Sequence, residues 1–285
     1  MQTTNRLDDI GDTVREFYRE MPFNIRRNPE DAAEKIRKVD STRAYSDLYN
    51  FIVGSHASTM VEIGCGVGHL SNSVAYHHKL NVSAIDFNDV AINEAKETAH
   101  LLGVEVDFLT CNLFDYMPDQ PVPLAISIGV LHHTADTVGA IQHIAKNIVA
   151  PGGVLYLGLY HTYGRRPFLE HFAELEARGV SEEDRIQEFS RLLGHNNQDI
   201  KFLTSWYRDQ VLHPFESQHT AKEIVSVINE VGFIPVSTSI NKFEKVENWQ
   251  NIFDLEKKNE DISRAKIKEH IYYPGFFTLM SQKES

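Results

Sequence analysis

Glycines stand at alternate positions, Gly64, Gly66 and Gly68, directly after the apolar run Val61-Glu62-Ile63. Glycine at this spacing lets the backbone turn sharply and approach a ligand with no side chain intervening. Two kinds of loop use that property, and both hold an adenosine-bearing ligand. A dinucleotide loop would carry glycine or alanine three residues after its second glycine, but His69 occupies that place, followed by Leu70 and Ser71. Glu62, two residues before the first glycine, tilts the balance further from a dinucleotide. Asp86 closes the next apolar run, about 20 residues after the loop, where a carboxylate accepts hydrogen bonds from a ribose diol. A lone aspartate at a strand end is otherwise a helix cap. The glycine loop upstream favours the ribose.

Further along, His132-His133 offers a general base or a metal ligand. Adjacent histidines do not readily face one metal, and no carboxylate–histidine spacing supports a site, so no metal is expected. The pair then either builds the floor of the ligand site or acts as a base. Tyr160-His161, Tyr163 and Arg165 form a second polar group, and Tyr207, Arg208, Asp209, His213 and His219 a third. Polar and aromatic groups converging on a cleft would orient a small substrate. The competing reading has Trp206, Tyr207 and Phe215 packing a cap onto the core, with Arg208 and Asp209 solvated.

The elements that must position these residues change character at Thr59. Before it, Ile10, Val14, Phe17 and Tyr18, and then Tyr45, Leu48 and Phe51, recur at helical spacing, interrupted by Met21-Pro22-Phe23-Asn24. After it, short apolar runs alternate with amphipathic helical segments, the pattern of βαβ units and a parallel sheet. Strands are predicted at Met60–Gly64, Val82–Asp86, Val104–Leu109, Leu124–Ile128 and Val154–Tyr160, and helices near His69–His78, Val90–Leu102 and Asp136–Val149. Pro151-Gly152-Gly153 predicts a tight turn into the fifth strand. Residues 161–220 interrupt the alternation with helices near Phe168–Arg178 and Glu182–Leu193. An insertion after the fifth strand lies at the carboxyl edge of the sheet, where ligands bind, and reads as a cap. A helix at Ala221–Val231, a strand at Phe233–Thr238, a helical stretch Trp249–Ile271 and a strand at Phe276–Met280 complete the chain. We expect one domain: an N-terminal helical segment (1–57), a core (58–160), the cap (161–220) and the remainder of the core (221–285).

Composition narrows the function. The 285 residues are 42% hydrophobic, enough for a sizeable core, and carry a net charge of −12. That average field repels a large anionic polymer, and the paired arginines Arg26-Arg27 and Arg165-Arg166 are too short to track phosphates. Nucleic acid is therefore not the expected partner. Cys65 and Cys111 cannot build a disulfide framework or a zinc site by themselves. No apolar leader and no membrane-length apolar run is present, so a cytoplasmic setting is expected. Oligomeric state is left open.

The motifs Glu62-Ile63-Gly64-Cys65-Gly66-Val67-Gly68, Ala84-Ile85-Asp86, Asn112-Leu113-Phe114-Asp115, Ser127-Ile128-Gly129-Val130-Leu131-His132-His133 and Pro151-Gly152-Gly153 occur in one order across Thr59–Tyr160. In that order and spacing the chain resembles the class I methyltransferases that use S-adenosylmethionine (SAM). The resemblance implies an α/β, Rossmann-like, seven-stranded and mostly parallel sheet with helices on both faces, its last strand antiparallel, plus the helical cap. It implies SAM as cofactor, with Glu62, Gly64, Cys65 and Gly66 in the loop and the two glycines approaching the methionine portion. Asp86 would hold the ribose hydroxyls and Phe87 would lie beside the adenine. Asn112, with Leu113 next to it, sits where the family often contacts the adenine amino group. Gly129 and Leu131 would line the sulfonium end, and Tyr18 belongs to a segment that often closes over SAM in relatives.

Methyl transfer is an in-line displacement in which the protein aligns the acceptor and excludes water. An oxygen or nitrogen acceptor would require a base, for which His132, His133 and His161 are candidates, with Tyr160 alongside. Tyr163, Arg165, Tyr207, Asp209 and His213 are the candidate substrate-binding residues. The expected activity is methylation of a small molecule. The alternatives are a tRNA or RNA methyltransferase, a SAM-binding module without catalysis, and, more remotely, an NAD-linked oxidoreductase. Steep salt dependence and losses on replacing Arg165 and Arg166 would mark the RNA enzyme.

Overall fold

In the computed structural model, residues 2–23, 28–55, 57–194, 200–273 and 275–285 are described, the side chains of 2–9 excepted. The apolar runs form strands Thr59–Ile63 (β1), Asn81–Asp86 (β2), Val106–Thr110 (β3), Val122–Ile128 (β4), Val149–Tyr160 (β5), Phe233–Thr238 (β6) and Phe276–Lys283 (β7). They make one sheet in the order β3-β2-β1-β4-β5-β7-β6, with β7 antiparallel to both neighbours and the rest parallel. The order reverses between β1 and β4, so the carboxyl ends of these two adjacent strands frame the cleft expected for a ligand.

Helices cover both faces because successive strand residues point to opposite sides. Met60, Val82, Ala84, Leu124, Ile126 and Tyr156 pack against Ser46–Gly54 (α3), His69–His78 (α4) and Asp89–Leu102 (α5). Val61, Ile63, Ala125, Leu155 and Leu157 pack on the other side against Thr137–Asn147 (α6), which follows β4, and Ala221–Glu230 (α10), which precedes β6. Asn88 caps α5 and Asp136 caps α6, each accepting from backbone N–H groups of the first turn.

Gln2–Glu20 (α1) and Pro29–Lys38 (α2) precede α3. Asn24 and the Arg26-Arg27 pair lie outside the described residues. The cap comprises Thr162–Ala177 (α7), Glu182–Leu192 (α8) and Ile200–Val211 (α9), which bury Phe168, Phe172, Phe189, Leu203 and Tyr207 in a core of their own.

Two local expectations change. Pro151-Gly152-Gly153 does not precede β5 but lies within it, where the register shifts between Val122 and Leu124. Gly152 has φ +70°, and a Cβ on Gly153 would lie 2.9 Å from the Ala150 carbonyl oxygen. The glycines thus serve an irregularity inside the strand, where residues 150–153 of β5 stand opposite Pro123 of β4, rather than a turn that precedes it. The stretch Trp249–Ile271 is two helices, Trp249–Glu256 (α11) and Asn259–Lys268 (α12). Ile252 of α11 joins the sheet core, whereas Ile267 of α12 packs with the cap.

Candidate active site

The three loop glycines all have positive φ, but for different reasons. A Cβ on Gly64 (φ +73°) would lie 2.4 Å from the Val130 methyls, and one on Gly68 (φ +71°) 2.6 Å from Ala95 Cβ. These two are required by packing. A Cβ on Gly66 (φ +51°) or on Gly129 (φ +79°) would meet no protein atom within 4 Å. These two expose bare backbone where a ligand can approach.

Asp86 organises the loop. Its Oδ2 accepts from the Gly66 N–H at 2.8 Å and its Oδ1 from the Asn88 N–H at 2.9 Å. Burial pushes its carboxyl up, against the lowering effect of backbone hydrogen bonds from Asn88, Gly66 and Phe87. Glu62 is buried beneath the loop, accepts from the Ser71 hydroxyl, and is pushed up to about 7 by burial. Cys65 is buried and its thiol is likewise raised by burial. Phe87 is partly exposed beside Asp86. Asn112 is exposed and its Oδ1 accepts from the Phe114 N–H, capping a short 3-10 turn. Leu113 and Leu131 carry their side chains into the sheet core, so only their backbone atoms can meet a ligand.

Opposite the loop, side chains from α1, β5 and α9 converge. The Tyr18 hydroxyl donates to Asp209 Oδ1 at 2.6 Å, and the Tyr160 hydroxyl to Asp209 Oδ2 at 3.3 Å. Gln210 Nε2 donates to Asp209 at 2.7 Å and to the Tyr160 hydroxyl at 2.8 Å. Burial first, then the Asp209 charge, holds both phenols well above their ordinary range. The Tyr18 carbonyl accepts from Asn88 Nδ2 at 2.8 Å, which ties α1 to a residue that itself donates its N–H to Asp86.

Arg165 lies at the back of this network, only 1% exposed. It donates through Nε and Nη2 to both carboxylate oxygens of Glu216, at 3.1 and 2.7 Å, and to the side chain and carbonyl of Gln210. Its guanidinium also lies 3.9 Å over the Tyr160 ring. Burial works against its charge, but Tyr160 and Glu216 outweigh it and raise its pKa. Arg166 pairs with Glu260 on the surface at 2.8 Å. Arg165 is therefore not presented to an external phosphate, and Arg166 is exposed but paired.

The histidines are assembled in a stack. His132 is fully buried, lies on the Tyr160 ring at 3.9 Å, and accepts the Tyr160 N–H at Nδ1. His133 donates from Nδ1 to the Phe215 carbonyl at 3.0 Å, while His213 accepts the Phe215 N–H at Nδ1 at 3.1 Å. The His133 and His213 rings stack at 3.6 Å, with Tyr18 at 6.2 and 5.3 Å respectively. The Nε2 atoms of His132, His133 and His213 are buried without a hydrogen-bond partner. Burial lowers all three imidazoles: His133 and His213 to about 3, His132 well below its ordinary value.

Three sequence candidates stand elsewhere. His161 engages Glu256 through Nε2 at 3.0 Å and Asn259 through Nδ1 at 3.4 Å, so neither nitrogen is available as a base. Glu256 also caps α10 through the Ala221 and Lys222 N–H groups, which makes His161 part of a structural joint. Residues 160 and 161 point to opposite sides of the strand end. Tyr163 packs against His161. Tyr207 is fully buried among Phe172 and Phe189 and belongs to the cap core, not to a substrate surface. Conversely, Asn88, Gln210, Glu216 and the backbone of Phe215 were not singled out as site residues. Each acts by joining segments distant in sequence. Among the described residues no group of histidines, cysteines or carboxylates could hold a metal, and no helix is long and apolar enough to cross a membrane.

Comparison with known proteins adds three findings. The family described as a methyltransferase domain matches residues 55–273. Ubiquinone biosynthesis O-methyltransferase of Nitrosomonas europaea is 31% identical over 120 residues, 41% of this chain and 48% of that protein, so the match spans about half its length. Among solved structures, PKMT2 from Rickettsia typhi has a TM-score of 0.58 at 13% identity, over 80% of this chain and 48% of that one. The plantazolicin methyltransferase BpumL, in complex with S-adenosylhomocysteine (SAH), has a TM-score of 0.54 at 10% identity over 100% of both chains. At these identities the structural likeness speaks for the fold.

Proposed function

This chain belongs to the methyltransferase-domain family, and we propose that it is an enzyme transferring a methyl group from SAM to a small-molecule acceptor by in-line displacement. The observation that carries this reading is the pair of open, left-handed glycines, Gly66 and Gly129, at the carboxyl ends of neighbouring strands β1 and β4. Side chains there would fill the space that the methionine portion of the cofactor needs. When bound, the cofactor supplies an electrophilic methyl group on a sulfonium.

The chain's own residues bind, orient and exclude water. A carboxylate has about four acceptor positions, and the backbone N–H groups of Gly66, Asn88 and Phe87 at Asp86 leave some of them open. What remains suits a ribose hydroxyl. Phe87 offers a partly exposed ring for the adenine. Glu62 is buried under the loop, where it would support the loop's backbone against the cofactor. Helix α1 brings Tyr18 over the site and is fastened there through Asp209 and Asn88, which shields the reacting atoms from water. In this reading residues 1–57 cover the cofactor and residues 161–220 complete the acceptor side.

A small acceptor is favoured over RNA because Arg165 is committed internally and Arg166 to Glu260, on a chain of net charge −12. The test is calorimetry with SAH and with NAD, followed by mass spectrometry of a small-molecule panel incubated with SAM. SAH should bind and NAD should not, and the transferred mass should appear in a small molecule at a rate insensitive to salt. Preference for NAD would overturn the assignment. Methylation confined to RNA, falling steeply with salt, would overturn the acceptor class.

A further inference from the structure

Asn88 is buried and spends its polar groups on three different elements. Its N–H donates to Asp86 Oδ1 at 2.9 Å, at the end of β2. Its Oδ1 accepts from the Val90 and Ala91 N–H groups at 3.0 and 3.5 Å, which caps α5. Its Nδ2 donates to the Tyr18 carbonyl of α1 at 2.8 Å. Capping alone needs only the side-chain oxygen, and serine supplies one as well as asparagine does. The amide adds a separate donor. That donor meets a carbonyl in the last turn of α1, one of those a helix cannot satisfy from within.

Helix α1 is lightly held. Of residues 10–20 only Val14 is buried, a small apolar anchor for a helix. The ion pairs of Arg19 with Asp89 and of Glu20 with Arg208 each have an exposed partner, and such pairs contribute little. Tyr18 is better shielded: its carbonyl is held by Asn88 and its hydroxyl by Asp209. Resting on the methyltransferase reading above, we propose that Asn88 is a positioning residue that couples the cofactor aspartate to α1. Cofactor ribose on Asp86 fixes Asn88, and the Asn88 amide then holds Tyr18 against Asp209, which completes the acceptor side.

The contacts are continuous. Asp86 to Asn88, Asn88 to Tyr18, Tyr18 to Asp209 and Asp209 to Tyr160 are hydrogen bonds of 2.9, 2.8, 2.6 and 3.3 Å. The α5 cap fixes the plane of the Asn88 amide, so Nδ2 cannot swing from Tyr18 without loosening the Oδ1 bonds. Docked and undocked α1 are the two states that cofactor and acceptor both bias. Linkage is reciprocal: whatever factor α1 docking adds to cofactor affinity, the cofactor adds to α1 docking. The cofactor therefore binds first and the acceptor meets a finished site.

Hydrogen exchange of residues 10–20, followed by mass spectrometry with and without SAH, reads the coupling. In the wild-type protein SAH should slow this segment about 10-fold, within the usual range for linked sites. Asn88→Ser keeps the capping oxygen and the backbone N–H to Asp86 but loses the amide donor. In it, the slowing of α1 by SAH and the calorimetric affinity for SAH should fall together, by the same factor, while exchange of α5 stays as it was. Asn88→Thr, a cap of the same kind, repeats the measurement if the serine variant does not fold. Undiminished slowing of α1 in the variants would overturn the proposal, because direct contact with SAH would then carry the effect. So would faster exchange of α5 alongside α1, which marks a plain cap, or wild-type SAH binding that leaves α1 unchanged. A wild-type protein that binds no SAH refutes the methyltransferase reading instead.

Discussion

Around the glycine loop the polar contacts join a few consecutive residues of two neighbouring strands, whereas around His133 the side chains are drawn from four separated segments. Gly64, Cys65 and Gly66 tie to Ile85 and Asp86 across two neighbouring strands. Tyr18, His133, Tyr160, Asp209 and His213 come from α1, the end of β4, the end of β5 and the cap. The first arrangement is fixed by strand pairing and tolerates almost no variation in residue type. The second depends on how the cap and α1 settle on the sheet, and can be retuned one side chain at a time.

The sharpest way to break that contrast is within the loop. Gly64→Ala drives a Cβ to 2.4 Å from Val130 at a positive φ. It should destabilise the protein by roughly 3 kcal/mol or more, from overpacking and backbone strain together. Gly66→Ala meets no protein atom within 4 Å, so its stability cost should be only the strain, about 1–2 kcal/mol. Its main effect should be on SAH affinity. Denaturant melts beside SAH titrations check this. Equal stability losses with unchanged affinity would show that Gly66 is not a ligand position.

Asp86→Asn comes next. It removes the charge that the Gly66 and Asn88 N–H groups point at and one acceptor for the ribose. SAH binding should weaken on the order of 100-fold, the worth of one or two charge-assisted hydrogen bonds. A change below threefold by calorimetry would remove Asp86 from the site.

This half of the site was legible for a physical reason. A backbone that must bend and leave room demands glycine at fixed spacing, and a carboxylate at the next strand end is a local event too. The same locality made the strand order and the antiparallel last strand readable through resemblance. The acceptor half was readable only as a list of residue types. Tyr160 and His161 look equally reactive in sequence, yet strand alternation turns one toward Asp209 and the other toward Glu256. Asp209 and Tyr207 are neighbours on α9, but one enters the site and the other the cap core. The backbone of Phe215, which bonds both His133 and His213, carries no signal in its residue type at all.

Acid stability should separate the two halves by sign. Burial lowers His132, His133, His213 and His219, with Tyr18, Tyr160, Asp209, Arg165 and Glu216 around them. The unfolded chain binds more protons at these positions below its ordinary imidazole pKa of about 6.5, so their contribution is present above that value and lost as pH falls toward about 3. Glu62, raised to about 7, and Asp86, also raised, act oppositely: their contribution is complete below the ordinary carboxyl range and lost as pH rises through about 7. Four imidazoles outweigh two carboxyls, so Tm should drop between pH 7 and pH 5. A rise over that interval would mean that the carboxyls of the cofactor side dominate.

Tyr207→Phe tests the lower end of the scale. Its hydroxyl is buried in the cap core without a hydrogen-bond partner, an arrangement that costs desolvation and returns nothing. Removing it leaves the ring contacts with Phe172 and Phe189 intact. Stability should stay constant or rise by up to about 1 kcal/mol, and methyl transfer should be unaffected. Asp209, two positions along the same helix, should respond in the opposite way because its carboxylate joins three elements of the site. If Tyr207→Phe instead slowed turnover with stability unchanged, the boundary between cap core and acceptor side would have to be redrawn through α9.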